Sequence, residues 1–157
     1  MEYLLLKWIH IVSSTFLFGT GVGSAFYKLM ADLGGDQRHI AHTNRNVVLA
    51  DWLFTTPTAI IQPVSGVLLA RMLGFPMSSP WLLTSILLYV VIMASWIPVV
   101  FIQMRMHRMS RDALAGGQAL GAGYRRLLWQ WILLGVVAFF AMISVFYLMV
   151  FKPTLWL

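Results

Sequence analysis

The sequence contains no cysteine and only five acidic residues in 157 positions. The lack of cysteine excludes disulfides, thiolate metal sites, iron–sulfur clusters and cysteine nucleophiles. The few acidic residues are scattered, and we find no nucleophile elbow, phosphate-binding loop or pair of catalytic carboxylates, which argues against the usual hydrolases. Charged residues make up 10% of the chain, against about 25% in an ordinary soluble domain.

Apolar residues are abundant instead and make up 60% of the sequence. A soluble chain of this length could not bury so much apolar surface in one core. Four stretches lack charged side chains over the roughly 20 residues that a helix needs to cross a bilayer, where only internally hydrogen-bonded backbone is stable. We therefore predict an all-α integral membrane four-helix bundle, a single domain over residues 1–157, with spans at about 4–28, 48–71, 81–104 and 127–151.

The start of the chain could also be read as a signal peptide. Glu2 precedes the first apolar run and no basic segment leads it. Signal peptides have a positively charged beginning, so this pattern favours a retained first span.

The basic residues predict an orientation. The segments joining spans one to two and three to four, with their flanks, contain eight of the eleven Lys and Arg residues, and the opposite side contains Lys7, Arg71 and Lys152. The excess of positive charge on cytoplasmic loops then predicts both termini on the outer, periplasmic side of a bacterial inner membrane. Two belts of tryptophan agree with this orientation: Trp8, Trp81 and Trp156 at the outer boundary, and Trp52, Trp129 and Trp131 at the inner one.

The net charge of +6 indicates contact with anionic lipid rather than with nucleic acid, because the basic residues flank apolar spans and no soluble basic module is present. Lipid is therefore the main predicted partner.

His10 is the most informative residue, because ionisable side chains within a span are rare and usually functional. Residues spaced by three or four from His10 are small or polar, among them Ser14, Gly21 and Lys28. This stripe is expected to face the interior of the bundle. A neutral imidazole there is a good ligand for haem iron, although a buried histidine bonded to a neighbouring helix explains the same pattern.

We predict a cofactor-binding set from polar, small or sulfur-containing residues at comparable depth in the spans: His10, Ser14, Gly21, Gln62, Tyr89 and Met142. A methionine can ligate haem iron, which makes Met142 or Met149 a candidate second ligand, but most methionines simply fill apolar gaps. A five-coordinate haem or a quinone-like site is equally compatible with these residues.

Other polar positions have weaker interpretations. Pro57 and Pro63 should leave the carbonyls of Leu53 and Ala59 without backbone donors. Asp51 is expected to pair with an arginine, Arg105 or Arg125 being the candidates, and proton transfer is the alternative.

Two spacings also have a functional and a plain interpretation. Asp36, His39 and His42 could form a weak metal site on a short helix, but a solvated loop leading to a turn at Asn44 is favoured. Gly19 and Gly23 could admit the flat face of a cofactor, but close contact with another helix is favoured.

Several short motifs resemble the HemJ family of haem-associated protoporphyrinogen oxidases. The first span has Leu6, Lys7, His10 and Ile11 in a similar pattern. The second has Thr56-Pro57 with Gly66 nine residues after the proline, and the last span closes with Lys152-Pro153. The resemblance implies that His10 ligates haem.

The sequence departs from that family at the entry to span three. Where the family has a Trp-x-His-x-Lys pattern, this chain has Trp81 followed by Leu82, Leu83, Thr84 and Ser85. An arginine late in span one is also missing, with Lys28 nearby. The chain is more similar to an uncharacterised family of small integral membrane proteins grouped with copper-resistance D-type membrane domains.

The functional prediction is a bundle that binds a b-type haem or porphyrin through His10, with possible electron transfer to a quinone or quinol. One alternative is a non-catalytic accessory subunit or homo-oligomer that contacts a membrane partner. The other is a bundle that transports metal ions or protons.

Overall fold

The computed structural model describes residues 1–153, and in this range the only regular secondary structure is helical. Its helices are α1 (Glu2–Gly34), α2 (Gln37–Ala50), α3 (Thr56–Met72), α4 (Pro80–Ala115) and α5 (Ala122–Phe151). A π-helical turn, Asp51–Thr55, joins α2 to α3, so Gln37–Met72 is one continuous helical segment. Trp156, which we expected at the outer boundary, lies outside the described residues.

Four of these segments are long and apolar enough to cross a membrane: α1, the continuous α2–α3 segment, α4 and α5. Many large apolar side chains, such as Ile60, Phe101 and Phe140, are exposed on the outside of the bundle. Lipid can solvate such side chains, whereas water cannot do so over a surface this large. The predicted fold class, an all-α membrane bundle, is confirmed.

The helices extend well beyond the predicted spans. Helix α4 has 36 residues, which at 1.5 Å per residue gives a length of about 54 Å, far more than the roughly 30 Å of a hydrocarbon core. Helix α1 likewise continues to Gly34. The bundle therefore has helical extensions at the end where α1 and α4 finish.

We expected a solvated loop leading to a turn at Asn44 between the first two spans. This prediction is wrong. Only two residues separate α1 from α2: Gly35 ends α1 in a left-handed conformation (φ 72°), and the side chain of Asp36 accepts a hydrogen bond from the Arg38 amide at 3.0 Å. Helix α2 is amphipathic, and its apolar face buries Ile40 and Val47 beside Asn44. Residues 37–50 are too polar to be predicted as a membrane span. They still form a helix, because they extend a membrane segment and do not cross lipid alone.

The two prolines of the second membrane segment are accommodated differently. The π-helical turn ends two residues before Pro57, and the Thr56 amide donates to the Asp51 carbonyl across it. At Pro63, the freed carbonyl of Ala59 accepts a hydrogen bond from the hydroxyl of Tyr89 on α4. Proline breaks the helix ladder by removing a donor, as we predicted for the Ala59 carbonyl, and here another helix supplies the replacement donor.

The helices pack unevenly around the bundle. Helix α1 packs on α2 and α3, α2 packs on α4, and α4 runs along α5, whereas α1 and α5 have little direct contact. The start of α1, the end of α5 and the α3–α4 connection lie at one end, here called the terminal end. The α1–α2 and α4–α5 connections lie at the far end, where Ala31, Ile40, Met106 and Tyr124 form the buried apolar core.

Candidate functional site

The imidazole of His10 turns toward α3 near the terminal end of the bundle. Its Nδ1 lies 2.7 Å from the hydroxyl oxygen of Ser65, and that hydroxyl donates to the carbonyl of Ile61 at 2.6 Å. Because Ser65 has one proton and directs it to the α3 backbone, its oxygen is free to accept from Nδ1–H. This assignment leaves the lone pair of His10 on Nε2, for which residues 1–153 provide no hydrogen-bond partner.

Three residues on one face of α3 fix His10. The amide of Gln62 donates to the His10 carbonyl at 2.7 Å and to the Ser13 hydroxyl at 2.6 Å. At Gly66 a Cβ atom would lie 3.3 Å from Cε1 of the imidazole, so the absence of a side chain leaves room for the ring. Gln62, Ser65 and Gly66 have the i, i+3, i+4 spacing that aligns residues on a helix.

The predicted inward stripe of α1 is only partly buried. Ser13, Leu17 and Lys28 are among its few buried residues, whereas Gly21 is exposed. The hydroxyl of Ser14 donates within its own helix to Ile11 at 2.7 Å. The stripe that begins at His10 therefore packs against other helices at some of its positions, whereas Gly21 borders a cavity between α1 and α5.

The six residues that we predicted to bind a cofactor do not form one site. His10 and Gln62 lie together against α3, and the hydroxyl of Tyr89 is used on the Ala59 carbonyl. Gly21 and Met142 line a separate cavity that His10 does not border. The predicted depth of each residue along its span could not separate these two groups. Residues at a similar depth can lie on different faces of their helices.

This cavity, which we call the α1–α5 cavity, has a volume of about 340 Å³. It lies between residues 17–29 of α1 and 131–142 of α5, with residues 92–103 of α4 behind it. The cavity fills the gap between α1 and α5, which have little direct contact. Most of its wall is apolar or aromatic, and its polar residues include Asp51, Thr55, Gln103 and Trp131.

Asp51 is buried in this polar group rather than paired with an arginine, so our prediction of Arg105 or Arg125 as its partner is wrong. Its carboxylate accepts a hydrogen bond from Thr55 at 2.9 Å. With the Gln103 amide oriented to match donors with acceptors, Gln103 donates to Asp51 and accepts from Trp131 Nε1 at 3.1 Å. Trp131 is buried here and does not belong to the predicted boundary belt.

The most heavily bonded polar cluster lies at the far end and centres on Lys28, which is 1% exposed. Its ammonium donates to Asp32 at 2.9 Å and to Asn44 at 2.6 Å, and it lies 3.4 Å from the Tyr124 hydroxyl. Tyr124 in turn donates to Asp32 at 2.7 Å. The Asn44 amide also donates to Ser110 at 3.0 Å, so α1, α2, α4 and α5 all contribute.

The sequence analysis did not identify this cluster, although the sequence contains one signal that indicates it. Lys28 and Asp32 are four residues apart on one helix, a spacing that places opposite charges side by side. The contributions of Asn44 and Tyr124 could not be inferred, because they depend on how α2 and α5 meet α1. The same applies to the Lys28 ammonium lying 5.4 Å from the Trp131 ring centre.

Two weaker predictions can also be compared with the structure. No group of three or more His, Asp or Glu residues suited to a metal ion occurs within residues 1–153, and His39 and His42 are exposed on α2. Within the described part of the chain, Gly19 and Gly23 are not packed closely against another helix, since a Cβ at either position would have no heavy atom within 4 Å. No helix within residues 1–153 therefore makes the predicted contact, and a contact with a helix of another protein stays a prediction.

Comparison with known proteins places the chain in a family but does not indicate an activity. Neither the curated proteins nor the solved structures provide a match. One family model, described as predicted integral membrane protein (DUF2269), matches residues 4–153. The chain therefore belongs to the DUF2269 family of integral membrane proteins.

Proposed function

We propose that this protein binds a b-type haem or porphyrin in the membrane through Nε2 of His10 and takes part in electron transfer. The observation that carries the proposal is the Nδ1–Ser65 hydrogen bond of 2.7 Å. Histidines that bind iron commonly donate the other ring N–H to a neighbouring group, which fixes the tautomer and the ring orientation. Ser65 fits that role because its own proton goes to the Ile61 carbonyl.

The surroundings of His10 support a rigid ligand. Gln62 fixes the His10 backbone carbonyl, Ser65 fixes its ring, and Gly66 leaves room beside Cε1. A haem needs only one or two protein ligands, because the porphyrin supplies four nitrogens. The residues around His10 therefore fit a single axial bond without a larger cluster of metal ligands.

The proposed ligand set is narrower than the one predicted from sequence. Met142 lines a cavity that does not include His10, and the amide of Gln62 already donates two hydrogen bonds. We therefore propose that His10 alone of this group would bind the haem iron. A bound haem would supply one-electron exchange, and the residues of this chain would hold and orient it.

The test is an absorption spectrum of detergent-purified protein from haem-replete cells. We expect a Soret band in the wild-type protein, its loss in His10→Ala and its retention in the control His42→Ala, which changes an exposed histidine of α2. A colourless wild-type protein, or an unchanged band in His10→Ala, would refute the proposal.

Proton handling is a second candidate function, which the buried Lys28–Asp32 pair and the buried Asp51 favour. Ionisable groups buried in membrane bundles commonly mark proton or ion routes. Proton flux in liposomes containing the colourless protein, reduced by Asp51→Asn, would favour this second function over haem binding.

A further inference from the structure

The α1–α5 cavity borders the lipid-facing side of the bundle. Val22 of α1 and Val136 and Phe139 of α5 line the cavity, yet 40–48% of their surface is exposed. A molecule dissolved in the bilayer can therefore reach the cavity laterally between α1 and α5.

One part of the cavity is polar and buried. Asp51 and Thr55 come from the π-helical turn, Gln103 from α4 and Trp131 from α5, and all four are buried. The Asp51 carboxylate accepts from Thr55 and Gln103. A carboxylate has about four lone-pair positions, so Asp51 can still accept a hydrogen bond from a ligand hydroxyl.

A second polar group on the cavity wall lacks a partner. The indole nitrogen of Trp96 is buried, and no acceptor within residues 1–153 bonds to it. Buried N–H groups are nearly always paired, and an unpaired one costs about 1–3 kcal/mol. The nitrogen itself is not exposed to the cavity, so an acceptor oxygen of an occupant would satisfy this donor only after the indole turns.

We propose that the α1–α5 cavity binds the head group of a lipid-soluble quinone or its quinol. A quinone carbonyl is an acceptor for Trp96, a quinol hydroxyl is a donor for Asp51, and the rings of Phe18, Trp96 and Trp131 supply flat aromatic surfaces. A volume of about 340 Å³ lies in the range of small-molecule pockets. The proposal does not depend on haem binding at His10, which does not border the cavity.

Other membrane-soluble occupants fit less well. The carboxylate of a fatty acid would be repelled by Asp51 if both were ionised. A hydrocarbon chain without oxygen would leave the Trp96 nitrogen unpaired. A quinone head group avoids both costs because it is uncharged and has oxygen atoms on opposite sides of a flat ring.

The test measures the equilibrium binding of a benzoquinone with a ten-carbon tail to the detergent-purified protein. Two matched pairs of variants are compared with the wild-type protein. Gly135→Leu adds a side chain on the cavity wall, and Gly19→Leu is its control outside the cavity; a Cβ has free space at both positions. Trp96→Phe removes the unpaired N–H, and Trp129→Phe, at an exposed indole, is its control. The double variant Gly21→Leu/Gly135→Leu narrows the cavity from both helices.

We expect Gly135→Leu and the double variant to weaken binding at least about 10-fold and Trp96→Phe about 5- to 10-fold, the effect of losing one buried hydrogen bond. The two controls and His10→Ala should keep wild-type affinity, which separates this site from the haem proposal. Helical circular dichroism and a single elution peak identify the variants that fold. Wild-type affinity in folded Gly135→Leu and double variants, or palmitate that binds while the quinone does not, would overturn the proposal.

Discussion

The hydroxyl of Tyr89 donates a hydrogen bond to the carbonyl of Ala59, the acceptor that Pro63 leaves without its usual helical donor. The two residues lie on different helices, 30 positions apart in the sequence. In lipid, no water is available to satisfy a free carbonyl. The tyrosine therefore compensates for the proline and ties α4 to α3 at the same point.

This relationship predicts a measurable coupling between Tyr89 and Pro63. Tyr89→Phe should destabilise the folded protein by about 1–3 kcal/mol, because it leaves a buried carbonyl unpaired. In a Pro63→Ala background the restored backbone N–H can serve the Ala59 carbonyl, so Tyr89→Phe should cost clearly less. The four proteins can be compared by reversible unfolding in mixed detergent micelles.

The control for this cycle is Tyr147→Phe, at a tyrosine that is 54% exposed on α5. It should have little effect in either background. Equal costs of Tyr89→Phe with and without Pro63 would show that the hydroxyl does not replace the missing donor.

Ser65 is predicted to be a positioning residue for the haem proposed at His10. Ser65→Ala removes the acceptor for Nδ1–H and should weaken haem binding about 10- to 100-fold, as is typical for groups that orient a metal ligand. It should also shift the reduction potential, because that hydrogen bond increases the basicity of the imidazole. Haem titration and a redox titration of the Soret band measure the two effects.

Two variants make the Ser65 experiment specific. Ser65→Thr retains the hydroxyl and should recover most of the affinity. Ser144→Ala removes an exposed hydroxyl of α5 that bonds only its own helix and should change neither quantity. A potential that is identical in the wild-type protein and Ser65→Ala would contradict the proposed role.

The Lys28 cluster predicts a large loss of stability when its charge is removed. Lys28→Met leaves the Asp32 carboxylate, which is 3% exposed, without its cation, and breaking a buried pair in this way costs about 3–5 kcal/mol. Adding Asp32→Asn should recover part of the loss, because the remaining buried charge is then gone. Unfolding free energies of the two variants and the wild-type protein give the comparison.

Lys7 provides the control for Lys28, since it is an exposed lysine of the same helix. Lys7→Met should change the unfolding free energy by less than about 0.5 kcal/mol, as is usual for surface positions. If Lys28→Met were no more destabilising than Lys7→Met, the cluster would not stabilise the bundle.

The absence of cysteine makes the predicted orientation directly testable. Single cysteines at Ser78, in the α3–α4 connection, and at Gln118, in the α4–α5 connection, introduce the only thiols of the chain. The excess of basic residues predicts that a membrane-impermeant maleimide labels Ser78→Cys from the periplasmic side and Gln118→Cys only after the membrane is opened. Labelling of both thiols in intact spheroplasts, or the reversed pattern, would contradict the topology.

The four membrane segments could be predicted from sequence because lipid imposes a simple requirement of length and apolarity. The α2 extension could not, since residues 37–50 are polar and need α1 and α4 to form their buried face. Helix ends beyond the hydrocarbon region depend on such contacts rather than on hydropathy. This explains why the membrane spans were easier to predict than the full helices.

For the candidate site, the sequence indicated that His10 faces the bundle, and the structure confirms its contact with α3. Ser65 could not be predicted as the partner of His10, because the sequences of two helices do not show how one helix is aligned along the other. Asp51 shows the same difficulty. Pairing with arginine was a reasonable expectation from composition, but the π-helical turn directs the carboxylate toward Thr55 and Gln103 instead.

The partners of the Lys28 ammonium also determine when the first helix can reach its final position during synthesis. Asp32 leaves the ribosome four residues after Lys28, but Tyr124 follows only after a further 92 residues. Before α5 enters the membrane, this ammonium lacks one of its partners and is more stable where water reaches it. The first helix should therefore enter the membrane early. It should reach its final packing in the bundle only after the fourth membrane segment has been made.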